Sequence, residues 1–228
     1  MSHSAPTPVV VLTRTTLFMR IVAAGFRLAF RLVARVHVEG LQHAPRSGPL
    51  LVVANHTTVA DPPFVAAWLQ PALGRPIQFM AKEQLFASRL RPILRIFGAV
   101  RVRAGGSDVE AYRAGLTVLR GGGVLGLFPE GTRSPDGVIA MPHAGAALLA
   151  ARSGVTVLPV GVSGGHRLLP MGRNLPRLGI QLILRVGEPF TVTLDPSVER
   201  RAATEAASEA IMRRVAALVE PEQRGRFA

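Results

Sequence analysis

The chain of 228 residues has no cysteine. Disulfides, thiolate nucleophiles and cysteine-based metal sites are excluded with it. Lysine is almost missing as well: Lys82 stands alone, and every other cationic residue is arginine. Aromatic residues make up only 5%, with one Trp and one Tyr, which is sparse for a surface that stacks nucleic-acid bases. No uninterrupted apolar run reaches the length of a membrane span. The opening MSHSAPTPVVVLTRTT has an apolar patch but neither a leading cationic region nor a convincing cleavage site, so no secretory signal is expected. His, Asp and Glu nowhere fall at metal-ligand spacing, and no metal site is expected. There is no G-x-S-x-G, and Gly121-Gly122-Gly123 precedes an apolar run that reads as a strand, which excludes a phosphate-binding loop of the strand-loop-helix kind.

What is present is a folding chain, 48% hydrophobic and of a length that suits one domain. Its net charge is +13, from 27 Lys+Arg against 14 Asp+Glu. Arginine suits phosphate because its planar fork binds two oxygens at once. The surplus points to a polyanionic partner: nucleic acid, anionic lipid or a phosphorylated substrate. The low aromatic content turns that choice away from nucleic acid and toward lipid.

Residues 12–36 have helical periodicity. Arg20, Arg27, Arg31 and Arg35 gather on one face, and Phe18, Val22, Phe26, Val33 and Val36 lie on another. That is the pattern of a helix lying in a membrane interface, with these arginines, Phe18 and Phe26 as its contacts. It is equally the pattern of a helix packed on its own domain.

Beyond it strands and helices alternate. Strands are expected at 37–40, 50–54, 77–80, 99–102, 124–128, 155–160 and 180–186. Helices are expected at 64–70, 88–97, 107–120, 144–153 and 197–219. Ser107 with Glu110 forms a capping box, and the glycines at 121–123 end that helix. The alternation implies an α/β fold: a single domain with a central, mostly parallel or mixed sheet covered by helices. The chain divides into an N-terminal basic amphipathic segment at 1–35, a core domain at 36–195 and a C-terminal helix at 196–228. Sites in such folds gather where strands end and loops begin. Three such loops are chemically rich: 55–61, 129–136 and 161–167.

The first loop carries Asn55-His56-Thr57-Thr58-Val59-Ala60-Asp61. Histidine can take a proton from a hydroxyl near neutral pH, and a carboxylate on its other nitrogen would orient it. Asp61 before Pro62 and Pro63 also reads as a helix N-cap followed by prolines in the first turn. The two roles are compatible, since a carboxylate has several acceptor sites. The second loop carries Phe128-Pro129-Glu130-Gly131-Thr132-Arg133-Ser134. Here Arg133 can fork a phosphate, Gly131 allows close backbone approach, and Glu130 can hold Arg133 or an amide in position. Taken as composition alone, this is an ordinary Pro-Glu-Gly turn.

NHxxxxD followed by FPEGTRS resembles the glycerophospholipid acyltransferase family, the 1-acylglycerol-3-phosphate acyltransferases. The resemblance covers roughly residues 36–190 and includes a strand-proline block at Val157-Leu158-Pro159-Val160. It implies that His56 is the base and Asp61 its partner, and that Glu130, Gly131, Thr132 and Arg133 help bind the acceptor phosphate. The family's second motif, an apolar stretch ending in Asp-Arg, reads here Gly98-Ala99-Val100-Arg101-Val102-Arg103-Ala104, so Arg103 or Arg101 takes the phosphate-binding part from a shifted position. Where the family has lysine before a glycine, this chain has His143.

The function expected is acyl transfer from acyl-CoA or acyl carrier protein to the free hydroxyl of 1-acylglycerol-3-phosphate, on the cytoplasmic face of an anionic cell membrane. No cofactor is expected beyond the donor. An acyltransferase for another lysolipid or glycolipid, and a non-catalytic basic module for membrane or nucleic acid, are the alternatives.

Overall fold

Leu50 to Ala54 is apolar at every position and almost wholly inaccessible to solvent. A strand of this kind belongs in the middle of a sheet that is covered on both faces. The computed structural model, which describes residues 9–102 and 108–228, places it there. Seven strands form one mixed sheet: β1 (Ala34–Glu39), β2 (Leu50–Ala54), β3 (Ile77–Lys82), β4 (Val100–Val102), β5 (Val124–Leu127), β6 (Thr156–Ser163) and β7 (Ile180–Val186). Their order is β1-β7-β6-β2-β5-β3-β4. β6, β2, β5, β3 and β4 run parallel, while β7 lies antiparallel to β6 and carries β1 parallel to itself.

The side-chain alternation of the strands divides the core in two. Leu50, Val52 and Ala54 face α1 (Leu17–Val33) and α2 (Asp61–Leu73). Leu51 and Val53 face α4 (Asp108–Arg120), α5 (Gly145–Ser153) and α7 (Arg200–Ala216). The short helices α3 (Arg91–Ile96) and α6 (Gly165–Leu168) complete the chain of elements. Pro159 is accommodated in the inner strand β6 because the ladder to β7 is interrupted there, between Val157↔Phe190 and Val160↔Val186.

Several boundaries differ from those read in the sequence. The first helix ends at Val33, so Arg35 and Val36 belong to β1 and the division drawn at residue 35 falls inside a strand. α1 packs on α2 through Met19, Ala23 and Phe30, and Phe30 meets Phe64 edge-on at 5.0 Å and Trp68 at 6.0 Å. Phe26 turns inward with Phe30 instead of outward. α2 begins three residues earlier than periodicity indicated and runs through Pro71, whereas the helix expected over 88–97 is reduced to Arg91–Ile96. α7 looks polar in sequence, yet Ile211, Met212, Val215 and Ala216 are buried; its alanines let the helix approach the sheet closely. Ser107 of the expected capping box, and Arg103, lie outside the described residues.

The aromatic cluster is what joins α1 to the domain. Phe30→Ala removes a buried ring and should cost about 3–5 kcal/mol. Urea unfolding of wild type and variant measures it; a loss below about 1 kcal/mol would mean that α1 is only loosely attached.

Candidate active site

β2, β5 and β6 run parallel, so their carboxyl ends open on one edge of the sheet. The loops they release there carry Asn55 to Asp61, Phe128 to Ser134, and Gly164-Gly165. β7 and β1 run the opposite way, so their first residues lie at this same edge.

Asn55 fixes the first loop to its neighbour. Its buried amide donates to the Val162 carbonyl at 2.9 Å and accepts from the Val162 N–H at 2.8 Å. His56 follows, and its peptide is held on both sides by the second loop. The His56 N–H donates to Glu130 Oε1 at 2.7 Å, and the His56 carbonyl accepts from the Ser134 N–H at 2.8 Å. Its ring stacks on Phe128 at 4.2 Å between centroids, and Phe128 stacks on Phe79 of β3 at 5.6 Å.

His56 Nδ1 lies 3.0 Å from Asp61 Oδ2. The same oxygen accepts the Thr57 N–H at 2.6 Å and the Thr58 N–H at 2.8 Å. Two backbone donors converging on Oδ2 make it an acceptor, so Nδ1 is the donor in this pair. That leaves Nε2 with its lone pair free, on a side chain 18% exposed beside a carboxylate only 1% exposed. The arrangement can take a proton from a group brought to Nε2 and stabilise the resulting imidazolium. Asp61 differs from the N-cap expected: Ala60 occupies that position, and Asp61 is the first helical residue. Pro62 and Pro63 at the helix start have no N–H to satisfy, which releases the Asp61 carboxylate to turn back onto the preceding loop.

The second loop divides its duties. Glu130 is buried, and its two oxygens are taken by the N–H groups of His56 and Ala140, the latter at 2.8 Å. It thus does what the sequence allowed for it, holding amides in position, and braces the loops from a buried place behind Gly131, Thr132 and Arg133. Burial pushes its carboxyl above the ordinary 4.5, opposed by the amides of Ala140 and His56. Gly131 has φ 65°, and a side chain there would meet the His143 ring at 2.8 Å. His143 is tied to the same loop by its N–H to the Pro129 carbonyl at 2.8 Å, and its exposed imidazole borders the glycine. Thr132 is exposed, and the half-buried Arg133 has no ion pair among the described residues.

Arg101 stands near the same edge but is engaged elsewhere. It pairs with Glu83 at 3.4 Å and lies over the Phe86 ring at 4.8 Å. Among the described residues no group of three His, Asp or Glu is arranged to hold a metal. Two neighbours of the site were not legible as such. Gly165 lies so close to Thr57 Oγ1 and Asp61 Oδ1 that a Cβ would stand 2.5 and 2.9 Å from them. His166 is half-buried against Gly137, and burial lowers its pKa. The glycine pair after β6 was the available signal for this close approach.

The site is thus a carboxylate-paired histidine at the strand ends of an α/β sheet, beside a loop that presents Arg133. A model of the Acyltransferase family matches residues 35–163, and the chain belongs to that family. The chloroplastic 1-acyl-sn-glycerol-3-phosphate acyltransferase LPAT1 of Arabidopsis thaliana is 30% identical over 145 residues, covering 60% of this chain and 38% of its own length. The human 1-acyl-sn-glycerol-3-phosphate acyltransferase alpha is 29% identical over 132 residues, covering 57% and 46%. The chain thus spans less than half the length of these two relatives. The crystal structure of the 1-acyl-sn-glycerophosphate acyltransferase PlsC of Thermotoga maritima superposes with a TM-score of 0.71 at 28% identity, over 88% of this chain and 79% of that one.

The raised pKa of Glu130 has a stability consequence. Folding favours its neutral form, so its contribution is full below pH 4.5 and is lost as pH rises through the elevated folded value. Glu130→Gln should flatten that part of the pH–stability profile. It should also leave one backbone N–H facing an amide donor, at a cost of about 1–3 kcal/mol at neutral pH. Urea midpoints at several pH values check both; an unchanged profile would remove Glu130 as the brace.

Proposed function

We propose that the protein transfers a fatty acyl group from acyl-CoA or acyl carrier protein to the free hydroxyl of 1-acylglycerol-3-phosphate, forming phosphatidic acid. The observation that carries this reading is the His56–Asp61 pair, with Nε2 free, clasped to the loop that presents Gly131, Thr132 and Arg133. His56 Nε2 takes the proton of the acceptor hydroxyl as its oxygen attacks the thioester carbonyl. The tetrahedral intermediate collapses with cleavage of the C–S bond, and the imidazolium returns the proton to the departing thiolate. No residue of the protein is acylated, which suits a chain without cysteine.

Arg133 forks the acceptor phosphate, and the open Gly131-Thr132 backbone supports it. Fixing the phosphate at a distance from the reacting hydroxyl converts binding energy into orientation. Arg101 joins only if it leaves Glu83, and Arg103 is the other candidate from the altered second motif. That alteration, with exposed His143 beside Gly131, favours a second reading in which the acceptor is another lysolipid.

The acceptor is an amphiphile, and α1 is built to meet it at a bilayer. Leu17, Ile21, Leu28 and Leu32 form one exposed stripe, with Phe18, Arg20 and Arg31 exposed beside it. Arg20 and Arg27 also line a groove of about 300 Å³ between α1 and α2. No helix among the described residues is long and apolar enough to cross a membrane. The exposed leucines and arginines of α1 support a peripheral seat on an anionic membrane surface, and its cytoplasmic face is the side proposed.

With labelled acyl-CoA and 1-acylglycerol-3-phosphate, His56→Ala should lower turnover by about 10²–10⁴-fold. Turnover equal to wild type would remove His56 as the base. A panel of lysolipid acceptors with one donor separates the two acceptor readings.

A further inference from the structure

The loop between α6 and β7, residues 169–178, has the sequence LPMGRNLPRL and contains no acidic residue. Leu175 is 77% exposed and Leu178 73%, and Met171, Arg173 and Arg177 are exposed with them. Among the described residues nothing covers these side chains. The loop is nevertheless held at fixed points. The Thr58 hydroxyl donates to the Leu169 carbonyl at 3.1 Å, the Arg177 N–H to the Leu168 carbonyl at 2.8 Å, and the Gly179 N–H to the Val33 carbonyl at 2.9 Å. Pro170 and Pro176 restrict its backbone further.

Those anchors join two features already described. Val33 is the last residue of α1, so the loop continues from the end of α1 that exposes Leu28 and Leu32. Thr58 belongs to the His56–Asp61 loop, whose next residue, Val59, is itself exposed. Sheet direction puts all of them on one edge: Ala34 of β1 pairs with Ile180 of β7, and both strands start where β2 and β6 end. Leu28, Leu32, Val59, Leu175 and Leu178 thus rim the edge that carries His56.

We propose that residues 169–178 form a second membrane-docking element, which inserts Met171, Leu175 and Leu178 into an anionic bilayer. Arg173 and Arg177 sit between these apolar side chains and reach lipid phosphates from the headgroup level, the pairing of apolar insertion and cationic rim that binds proteins to anionic interfaces. α1 supplies a line of contact along the surface, and the loop supplies a second point beyond its end. Two such contacts fix the tilt of the domain, so that the strand-end edge and His56 face the lipid from which an amphiphilic acceptor arrives. The inference rests on the proposed reading only for the nature of that acceptor.

The test uses the full chain and sedimentation with vesicles of phosphatidylcholine alone or mixed with phosphatidylglycerol, without substrate. Leu175→Ser with Leu178→Ser should weaken binding to both vesicles about tenfold or more, because apolar insertion is lost in each. Arg173→Ser with Arg177→Ser should weaken binding only to the anionic vesicles. In Leu175→Trp, emission should shift to the blue on vesicle addition and be quenched by brominated lipid; the other tryptophan, Trp68, is buried and serves as the internal reference. Wild-type affinity in the leucine variant, or Trp emission unmoved by vesicles, would overturn the proposal. Absence of acyl transfer by the wild type would overturn the functional reading instead and leave the vesicle results standing.

Discussion

The site depends on the hydrogen bonds that clasp the His56 peptide between Glu130 and Ser134. Both engage the backbone of His56, one through the Glu130 carboxylate and one through the Ser134 N–H, so they position the histidine whatever its ring is doing. Their effect is to make two loops from neighbouring strands into one rigid unit. A carboxylate buried for this purpose carries a desolvation cost, visible in its raised pKa. The two amides that it accepts from offset part of that cost. The division of labour follows: Glu130 holds His56 in place, and Arg133 has no ion pair among the described residues.

The reversal of β7 and β1 shapes the protein's surface. Had the sheet continued in parallel, α1 would end at the opposite edge from His56. Because β7 turns antiparallel to β6 and β1 follows β7, the end of α1 and the loop before β7 arrive beside the strand-end site. The Phe30, Phe64 and Trp68 cluster then keeps α1 in contact with α2, whose first residue is Asp61. The exposed apolar side chains of α1 and the histidine–carboxylate pair are thus connected through one helix contact and one loop.

Much of this was legible in the residues. The continuous apolar run at 50–54 announced a central strand, and alternation of elements announced the α/β class. His56 and Asp61 could be paired by type and spacing, although not by the mechanism observed: the carboxylate turns back onto Thr57 and Thr58 rather than capping its own helix. Glu130 was placed with the phosphate-binding residues by the family resemblance and was also read as able to hold Arg133 or an amide; the structure shows two amides held, those of His56 and Ala140. Arg101 was a candidate on charge, and its partner Glu83 with the ring of Phe86 is close to it only through the pairing of β4 with β3. Asn55 was a motif letter with no assigned task until β6 supplied both ends of its bonds. The loop at 169–178 showed no periodicity and so gave no sign of its role.

The sequence by itself determined the chemical inventory: a histidine and an aspartate five residues apart, no cysteine, arginine as the cation, and apolar strands that require cover on both faces. Local order along the chain is enough for these, because residue type and period act over short distances. Which carboxylate braces the histidine, which candidate arginine has an ion pair among the described residues and which exposed leucines share an edge were decided by the tertiary structure. Each depends on two segments distant in sequence meeting across the sheet, and strand direction and order alone settle which segments meet.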